Sequence, residues 1–185
     1  DTFFQSDTQC EMVVTNCMTG KAEYLSEHAD GKRLMEICRA SSSMPLATEM
    51  VPIDGIPYLD GGIADSIPIV RSLKTGHKRN VIILTRNKGY RKKGSKRADR
   101  MYELVYGKNY PNLVYALEKR AKNYNRILDY IEKWEKEEKV FVIRPEIPPV
   151  ARLERDAGKL EKFYQHGYDL MEEEFERMQW FLNRP

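Results

Sequence analysis

Short apolar runs separated by turn residues make up most of the first sixty positions of the chain. Each run is rich in β-branched or other apolar residues and ends at glycine or polar residues, which is typical of strands in hairpins. The predicted strands are 12–15, 22–25, 50–53 and 56–59. Asp54-Gly55 favours a two-residue hairpin turn, and Gly20-Lys21 marks another turn. Between the two hairpins, Asp30 is expected to cap a helix that runs to about Cys38.

In the remainder of the chain, helical patterns alternate with uninterrupted apolar runs. A helix is predicted from about Pro68 to Lys74, with Ser66 as its N-cap. Val81–Thr85 and Val140–Ile143 lack polar alternation, which favours strands covered on both faces, as in a parallel sheet. Apolar residues at spacings of three and four predict amphipathic helices between these strands and from about Ala157 to Asn183. The pattern indicates an α/β protein.

Composition excludes several classes of protein. With 185 residues, of which 41% are apolar, the chain is long enough for one ordinary domain. It has no run of about 18 apolar residues, so we expect neither a membrane span nor a signal peptide. Cys10, Cys17 and Cys38 form no Cys-x-x-Cys pair, and they predict reduced, buried thiols instead of a disulfide framework. We expect no metal and no cofactor.

Positive charge is concentrated in one segment, which we call the basic run. The net charge is only +3, but the thirteen residues from Lys88 to Arg100 hold seven cations and a single anion, Asp99. The cations are Lys88, Arg91, Lys92, Lys93, Lys96, Arg97 and Arg100. Such a cluster suits the phosphate groups of anionic lipids, and the alternative is a solvated loop that leads into a helix. Only Tyr90 is aromatic within the run, so we expect no nucleic-acid partner.

Asp60-Gly61-Gly62 is the most informative motif of the sequence. It directly follows a predicted buried strand, and its two glycines allow a sharp turn because glycine tolerates positive φ and close approach of other groups. The carboxylate of Asp60 would then lie uncrowded at the end of the strand, where it can act as a general base for a nearby nucleophile. The alternative is that Asp60 only caps the turn.

Several other segments stand in order around this motif. They are 39–46 (Arg-Ala-Ser-Ser-Ser-Met-Pro-Leu), 51–55 (Val-Pro-Ile-Asp-Gly), 58–68, 84–91 (Leu-Thr-Arg-Asn-Lys-Gly-Tyr-Arg) and 152–156 (Arg-Leu-Glu-Arg-Asp). Together they resemble the second half of bacterial patatin-like phospholipases, from about Met12 to the C-terminal helix. In that family a serine in a Gly-x-Ser-x-Gly elbow and the aspartate of Asp-Gly-Gly or Asp-Gly-Ala transfer acyl groups without histidine. The resemblance implies that Asp60 is the dyad aspartate.

The same resemblance implies a fold. We expect an α/β, three-layer patatin-like fold with a central, mostly parallel sheet, incomplete in this chain, plus C-terminal helices. Residues 1–185 would form one incomplete domain. Within it, 1–86 would be the base-bearing part of the catalytic domain, and 87–185 a helical extension with one further strand near 140–143.

The implied function is hydrolysis of carboxylic esters of lipids by a phospholipase A or a lysophospholipase. The substrate would be a lipid or a small ester, and no cofactor is needed. The alternative is a non-catalytic module that binds anionic membranes through residues 88–100. Either protein would be cytoplasmic, with peripheral contact to a membrane.

The serine of the dyad is missing from this sequence. No Gly-x-Ser-x-Gly occurs among the 185 residues, and no glycine-rich loop suited to an oxyanion hole occurs either. The chain also opens with Asp1-Thr2-Phe3 and not with Met. We therefore expect it to be the C-terminal part of a longer enzyme, whose N-terminal half supplies the nucleophile. By itself the chain is expected to be inactive.

Three serines and two histidines are the remaining candidates for the site. Ser41, Ser42 and Ser43 end the first predicted helix, where hydroxyls usually satisfy backbone groups. The resemblance also makes them candidates for lining the active-site pocket. A catalytic triad would require a histidine after the aspartate, which leaves His77 and His166 formally open. Surface or packing roles are favoured for both histidines because neither lies in a catalytic motif.

Overall fold

The computed structural model describes residues 2–151 and 153–184. Arg152, which opens one of the segments that resemble patatin-like phospholipases, lies outside the described residues. The chain divides into two compact units. The first holds the residues up to Pro68 together with Lys92–Ile127, and the second holds Ile69–Arg91 together with the residues from Leu128 onward.

The described residues form six strands and five helices. The strands are β1 (Met12–Asn16), β2 (Ala22–Leu25), β3 (Val51–Ile53), β4 (Ile56–Asp60), β5 (Asn80–Ile83) and β6 (Val140–Ile143). The helices are α1 (Gly31–Ser41), α2 (Ile69–Lys74), α3 (Lys96–Tyr106), α4 (Pro111–Lys136) and α5 (Ala157–Asn183). Each strand and helix predicted from the pattern is present, with bounds that differ by a few residues. The protein is therefore of the mixed α/β kind.

The first unit contains a four-stranded sheet in the order β2-β1-β4-β3. All of its neighbouring strands are antiparallel. Both predicted hairpins are confirmed, and Asp54 (φ 52°) with Gly55 (φ 79°) supplies the two positive φ angles that a tight hairpin turn requires. The prediction of a mostly parallel sheet is wrong for this unit, because strands joined by hairpins must pair antiparallel.

The second unit contains a parallel pair, β5 and β6, in which Asn80 is opposite Val140 and Ile83 is opposite Ile143. The predicted parallel pairing is thus confirmed. The prediction that β5 is covered on both faces is wrong, since Ile83 is 72% exposed. An apolar run shows which residues can be buried, but neighbouring elements decide whether each is covered. On β6, Phe141 and Ile143 pack against Phe181 of α5.

Strand β4 joins two hydrophobic clusters of the first unit because its successive side chains point to opposite faces of the sheet. One cluster contains Tyr58 with residues of α1, β1 and β3, namely Val14, Ile37, Ala40, Val51 and Ile53. The other contains Leu59 with Cys17, Ile63 and residues of α3 and α4, namely Tyr106, Leu113, Val114 and Leu117. Each large apolar side chain buried in this way contributes about 1.5–3 kcal/mol. The strand that ends at Asp60 is therefore held from both sides.

Two helix ends and one cysteine differ from the predictions. Asp30 caps α1 as predicted, but the helix runs on to Ser41. Ser66 does not cap α2, because its Oγ donates to the carbonyl of Gly62 at 2.7 Å. Cys38 is an exposed free thiol and not a buried one. No helix in the described part of the chain is both long and apolar enough to cross a bilayer.

Candidate active site

Asp60 is the last residue of β4 and the N-cap of a short 3₁₀ turn, Gly61–Ile63. Its backbone N–H donates to the carbonyl of Ser43 at 2.8 Å. Its own carbonyl accepts a hydrogen bond from Thr15 Oγ1 at 2.9 Å. Thr15 and Ser43 are both buried, so these bonds are shielded from water. The backbone of Asp60 is fixed at both its donor and its acceptor.

The two oxygens of the Asp60 carboxylate have different surroundings. Oδ1 accepts a hydrogen bond from the backbone N–H of Gly62 at 2.8 Å, so the capping role is confirmed. Oδ2 lies 3.9 Å from Nη2 of Arg120 and accepts no hydrogen bond from the described residues. The side chain is 25% exposed. Capping therefore uses one oxygen and leaves the other without a hydrogen-bond donor among the described residues.

The glycines serve this turn through their lack of a side chain. Of the two properties of glycine expected to matter here, positive φ is not used, because neither Gly61 nor Gly62 has a positive φ, whereas close approach of another group is confirmed for Gly61. A Cβ on Gly61 would lie 2.2 Å from the carbonyl oxygen of Val13, which is part of the backbone of β1. A Cβ on Gly62 would lie 3.2 Å from Oδ1 of Asp60, a tight but adjustable contact. Gly61 is required because the turn lies directly on β1.

Arg120 of α4 is a residue of the site that the sequence reasoning missed. Its Nε donates to the carbonyl of Gly62 at 2.8 Å, and its side chain is only 20% exposed. A helix turns about 100° per residue, so Arg120 lies on the same face as Leu113, Leu117 and Tyr124. A cation within an apolar stripe requires a partner. The position of Arg120 within the apolar stripe could therefore have predicted that a polar partner faces it in the fold.

The cavity next to Arg120 is small. It is lined by residues 63–67, which directly follow the Asp-Gly-Gly motif, and by residues of α4, including Arg120 and Tyr124. Its volume is about 20 Å³, which is room for about one water molecule. An acyl chain does not fit there. This cavity is therefore too small to be the substrate pocket, and Asp60 is not among its lining residues.

A larger cavity of about 510 Å³ lies within the second unit, where β6 and α5 form its walls. Phe141 and Phe181 supply apolar surface, while Arg144 and Arg177 are paired with glutamates. No serine, cysteine, threonine or histidine lines this cavity. It holds no nucleophile for acyl transfer, and the candidate site remains the one around Asp60.

The serine triplet makes structural hydrogen bonds at the end of α1. Ser41 Oγ donates to the carbonyl of Val13 at 2.8 Å. The hydroxyls of Ser42 and Ser43 donate to the carbonyl of Arg39 at 3.2 Å and 2.8 Å. These are the backbone-satisfying roles expected at a helix end. Lining of a substrate pocket by these serines stays a prediction.

Both histidines have local partners within the second unit. His77 Nδ1 lies 3.0 Å from Thr75 Oγ1. His166 Nε2 accepts a hydrogen bond from the backbone N–H of Glu146 at 3.0 Å. These contacts fit the surface and packing roles that were favoured for the two residues.

The first arginine of the basic run is held by carboxylates of α4. Arg91 donates to Glu132 at 2.9 Å and to Asp129 at 2.8 Å. The hydrogen bond that Arg91 donates to Glu132 is the main reason why the pKa of Arg91 is raised. The same bond holds the pKa of Glu132 below its usual range. Arg91 therefore serves the fold of the second unit.

The remaining cations of the basic run differ in their surroundings. Lys92 exchanges two hydrogen bonds with the side chain of Asn125 through its backbone, and its ammonium group lies 4.3 Å from the ring centre of Tyr124. The other cations are exposed, namely Lys88, Lys93, Lys96, Arg97 and Arg100. The chain passes from the second unit to the first between Arg91 and Lys92. The run is thus partly structural.

The segment that contains Asp60 matches a known protein family. Residues 17–71 match the family model described as patatin-like phospholipase. Residues 110–183, which include Arg120, match a second model, described as a domain of unknown function, DUF6363. The predicted resemblance to patatin-like phospholipases is confirmed over residues 17–71.

A relative from Escherichia coli (strain K12), uncharacterized protein YjjU, is 32% identical over 117 residues. This alignment covers 62% of the chain and 32% of YjjU, so the chain spans about a third of that relative's length.

Proposed function

We propose that the chain is part of a serine hydrolase that cleaves carboxylic esters of lipids, with Asp60 as the base of a Ser-Asp dyad. The observation that carries the proposal is the carboxylate of Asp60. Gly62 fixes its Oδ1, and its Oδ2 accepts no hydrogen bond within the described residues. The carboxylate lies in the segment that matches patatin-like phospholipases. The serine and the oxyanion hole would come from a segment that precedes this chain.

The proposed chemistry uses Oδ2 as the proton acceptor. The serine oxygen attacks the carbonyl carbon of the ester while its proton passes to Oδ2. The tetrahedral intermediate collapses, and the departing alcohol takes the proton back from Asp60. Water then attacks the acyl-serine while Asp60 takes its proton, and Asp60 passes that proton to the serine oxygen as the bond to the acyl group breaks and the carboxylic acid leaves. Because Gly62 holds Oδ1, the carboxylate keeps one orientation through both steps.

Arg120 is proposed as a positioning residue. Its hydrogen bond to Gly62 supports the turn, and its Nη2 faces the oxygen that would receive the proton. Loss of Arg120 should therefore lower kcat more than it changes KM, and it should alter the pH profile of kcat. Arg120→Lys should recover part of the activity that Arg120→Met loses. A purely structural role would instead lower the amount of folded enzyme without changing the pH profile.

The decisive experiment uses the longer protein with the segment that precedes Asp1. Asp60→Asn retains the acceptor for Gly62 N–H but removes the base, so hydrolysis of a short-chain nitrophenyl ester should fall about 10²–10⁴-fold. Asp30→Asn is the matched control, because Asp30 also caps a helix through its side chain. His77→Ala and His166→Ala should keep most of the activity. An equally large loss in either histidine variant would replace the dyad with a triad.

The 185-residue chain itself should neither hydrolyse the ester nor react with a fluorophosphonate probe for activated serines. Turnover by the chain that survives stringent purification would refute the argument that the nucleophile lies elsewhere. We also propose that the three-layer fold is completed by the preceding segment. The protein would be cytoplasmic.

A further inference from the structure

Helix α3 carries an exposed apolar surface that no part of the first unit covers. Leu104 is 79% exposed, Val105 51% and Met101 44%. At about 100° per residue, these three side chains share one side of the helix. We call this side, with Arg97 and Lys108 at its two ends, the α3 outer face. Exposure of three neighbouring large apolar side chains is characteristic of a binding surface.

The charges around the α3 outer face are all positive. Arg97 lies within it, Arg100 flanks it, and Lys108 follows just beyond the helix end; all three are exposed. The same helical arithmetic puts Asp99 and Glu103 on the opposite side. Among the described residues, none of the three cations has a side-chain hydrogen bond or ion pair. The surface therefore combines apolar side chains with positive charge that the first unit does not neutralise.

The helix is held rigidly from its inner side. Tyr106 is 8% exposed, belongs to the core cluster of α4, and its hydroxyl oxygen accepts a hydrogen bond from the N–H of Leu46 at 2.9 Å. Tyr102 packs against the same cluster. Ser95 caps the N-terminus by accepting a hydrogen bond from Ala98 N–H. Helix α3 is therefore already folded before its outer face meets a partner.

We propose that the α3 outer face docks on an anionic lipid surface. Leu104, Val105 and Met101 would enter the interface between head groups and acyl chains, and Arg97, Arg100 and Lys108 would contact lipid phosphates. An anionic bilayer is favoured over a protein partner because it offers apolar depth and phosphate charge together. The basic run, read from the sequence, predicted the positive charge of this surface but not its exposed apolar side chains. This inference does not rest on the proposed ester hydrolysis.

The test is co-sedimentation of the 185-residue chain with two kinds of vesicle. One kind is an equimolar mixture of phosphatidylcholine and phosphatidylglycerol, and the other is phosphatidylcholine alone. The chain should bind the mixed vesicles and should bind them less well at physiological than at low salt. Leu104→Glu should weaken binding about tenfold. Leu153→Glu is the matched control, because Leu153 is 80% exposed and lies outside α3.

A second pair of variants separates charge on this face from total charge. Arg97→Gln with Arg100→Gln should weaken binding about tenfold, since each cation contributes up to about 1 kcal/mol near such a surface. Lys78→Gln with Lys162→Gln makes the same change in net charge elsewhere and should have little effect. Equal binding of all these variants would overturn the proposal. So would a dimer of the wild-type chain that Leu104→Glu dissociates, because the face would then bind a second copy.

Discussion

Replacing Gly61 with alanine tests the close contact between the Asp-Gly-Gly turn and β1. The new Cβ would lie 2.2 Å from the carbonyl oxygen of Val13 and 2.4 Å from its carbonyl carbon. Real Cβ atoms do not approach backbone atoms below 3.0 Å. Either β1 or the turn must therefore move by about 1 Å, a large displacement in a close-packed interior.

The free-energy cost of that movement depends on the strand pairing and the hydrogen bond that hold β1 and the turn in place. Val14 is paired with Asp60 across the sheet, and the carbonyl of Val13 accepts a hydrogen bond from Ser41. Overpacking costs about 1–3 kcal/mol, and each hydrogen bond that is lost costs about 1 kcal/mol more. We expect Gly61→Ala to lower the free energy of unfolding by about 3 kcal/mol. In a chain of this length that corresponds to a fall in Tm of roughly 10 °C.

Gly62→Ala is the matched control for the same substitution one residue later. Its Cβ would meet only side-chain atoms, with Oδ1 of Asp60 at 3.2 Å and Nη2 of Arg120 at 3.5 Å. These atoms can give way by a few tenths of an ångström, so the loss should stay below about 1 kcal/mol. Urea unfolding of both variants, followed by circular dichroism, measures the difference. Equal stabilities for Gly61→Ala and Gly62→Ala would refute the steric explanation of this motif.

Three further predictions concern Arg120, the Arg91 ion pairs and the buried thiol. Arg120→Met should lower the free energy of unfolding by about 1 kcal/mol in urea titration, because the hydrogen bond to Gly62 is lost. A urea midpoint equal to that of the wild type would mean that this hydrogen bond does not stabilise the fold. The pKa of Glu132 is lowered in the folded state, mainly by its hydrogen bond from Arg91. That stabilisation is present above the ordinary pKa of glutamate and disappears as the pH falls through the lower folded value. Stability curves of Glu132→Gln measured against pH should therefore be flatter in the acid range than those of the wild type. Burial raises the pKa of Cys17 to about 12, so a disulfide reagent at pH 8 should modify it only in denaturant; fast labelling in the native state would mean that this core opens.

Local patterns in the sequence were sufficient to predict most strands, helices and turns. Asp54-Gly55 forms the predicted hairpin turn with two positive φ angles because only local backbone preferences are involved. Asp30 caps α1 for a similar reason, since its carboxylate reaches N–H groups of the next turn. Ser66 was a plausible cap by the same rule, but the carbonyl of Gly62 was a better partner for its hydroxyl. The competing carbonyl lies only four residues before Ser66, so one local hydrogen bond replaced another.

Sheet direction and coverage could not be predicted as reliably. The apolar runs of β5 and β6 suggested a parallel sheet, and that pair is parallel. The larger sheet is antiparallel in all three pairings, of which hairpins determine two, β1 with β2 and β3 with β4. The exposure of Ile83 shows that an apolar run does not determine which faces are covered.

The sequence by itself determined the Asp-Gly-Gly motif, its position after a buried strand and the family model that this segment matches. These features depend on residue order within a few positions. Only the tertiary structure decided the surroundings of the Asp60 carboxylate. Arg120 follows Asp60 by sixty positions in the chain and reaches the turn because α4 buries its apolar stripe against the same core. Likewise, Gly61 is indispensable for its contact with Val13 and not for its backbone angles. Contacts between distant residues depend on packing, and packing is a property of the whole fold.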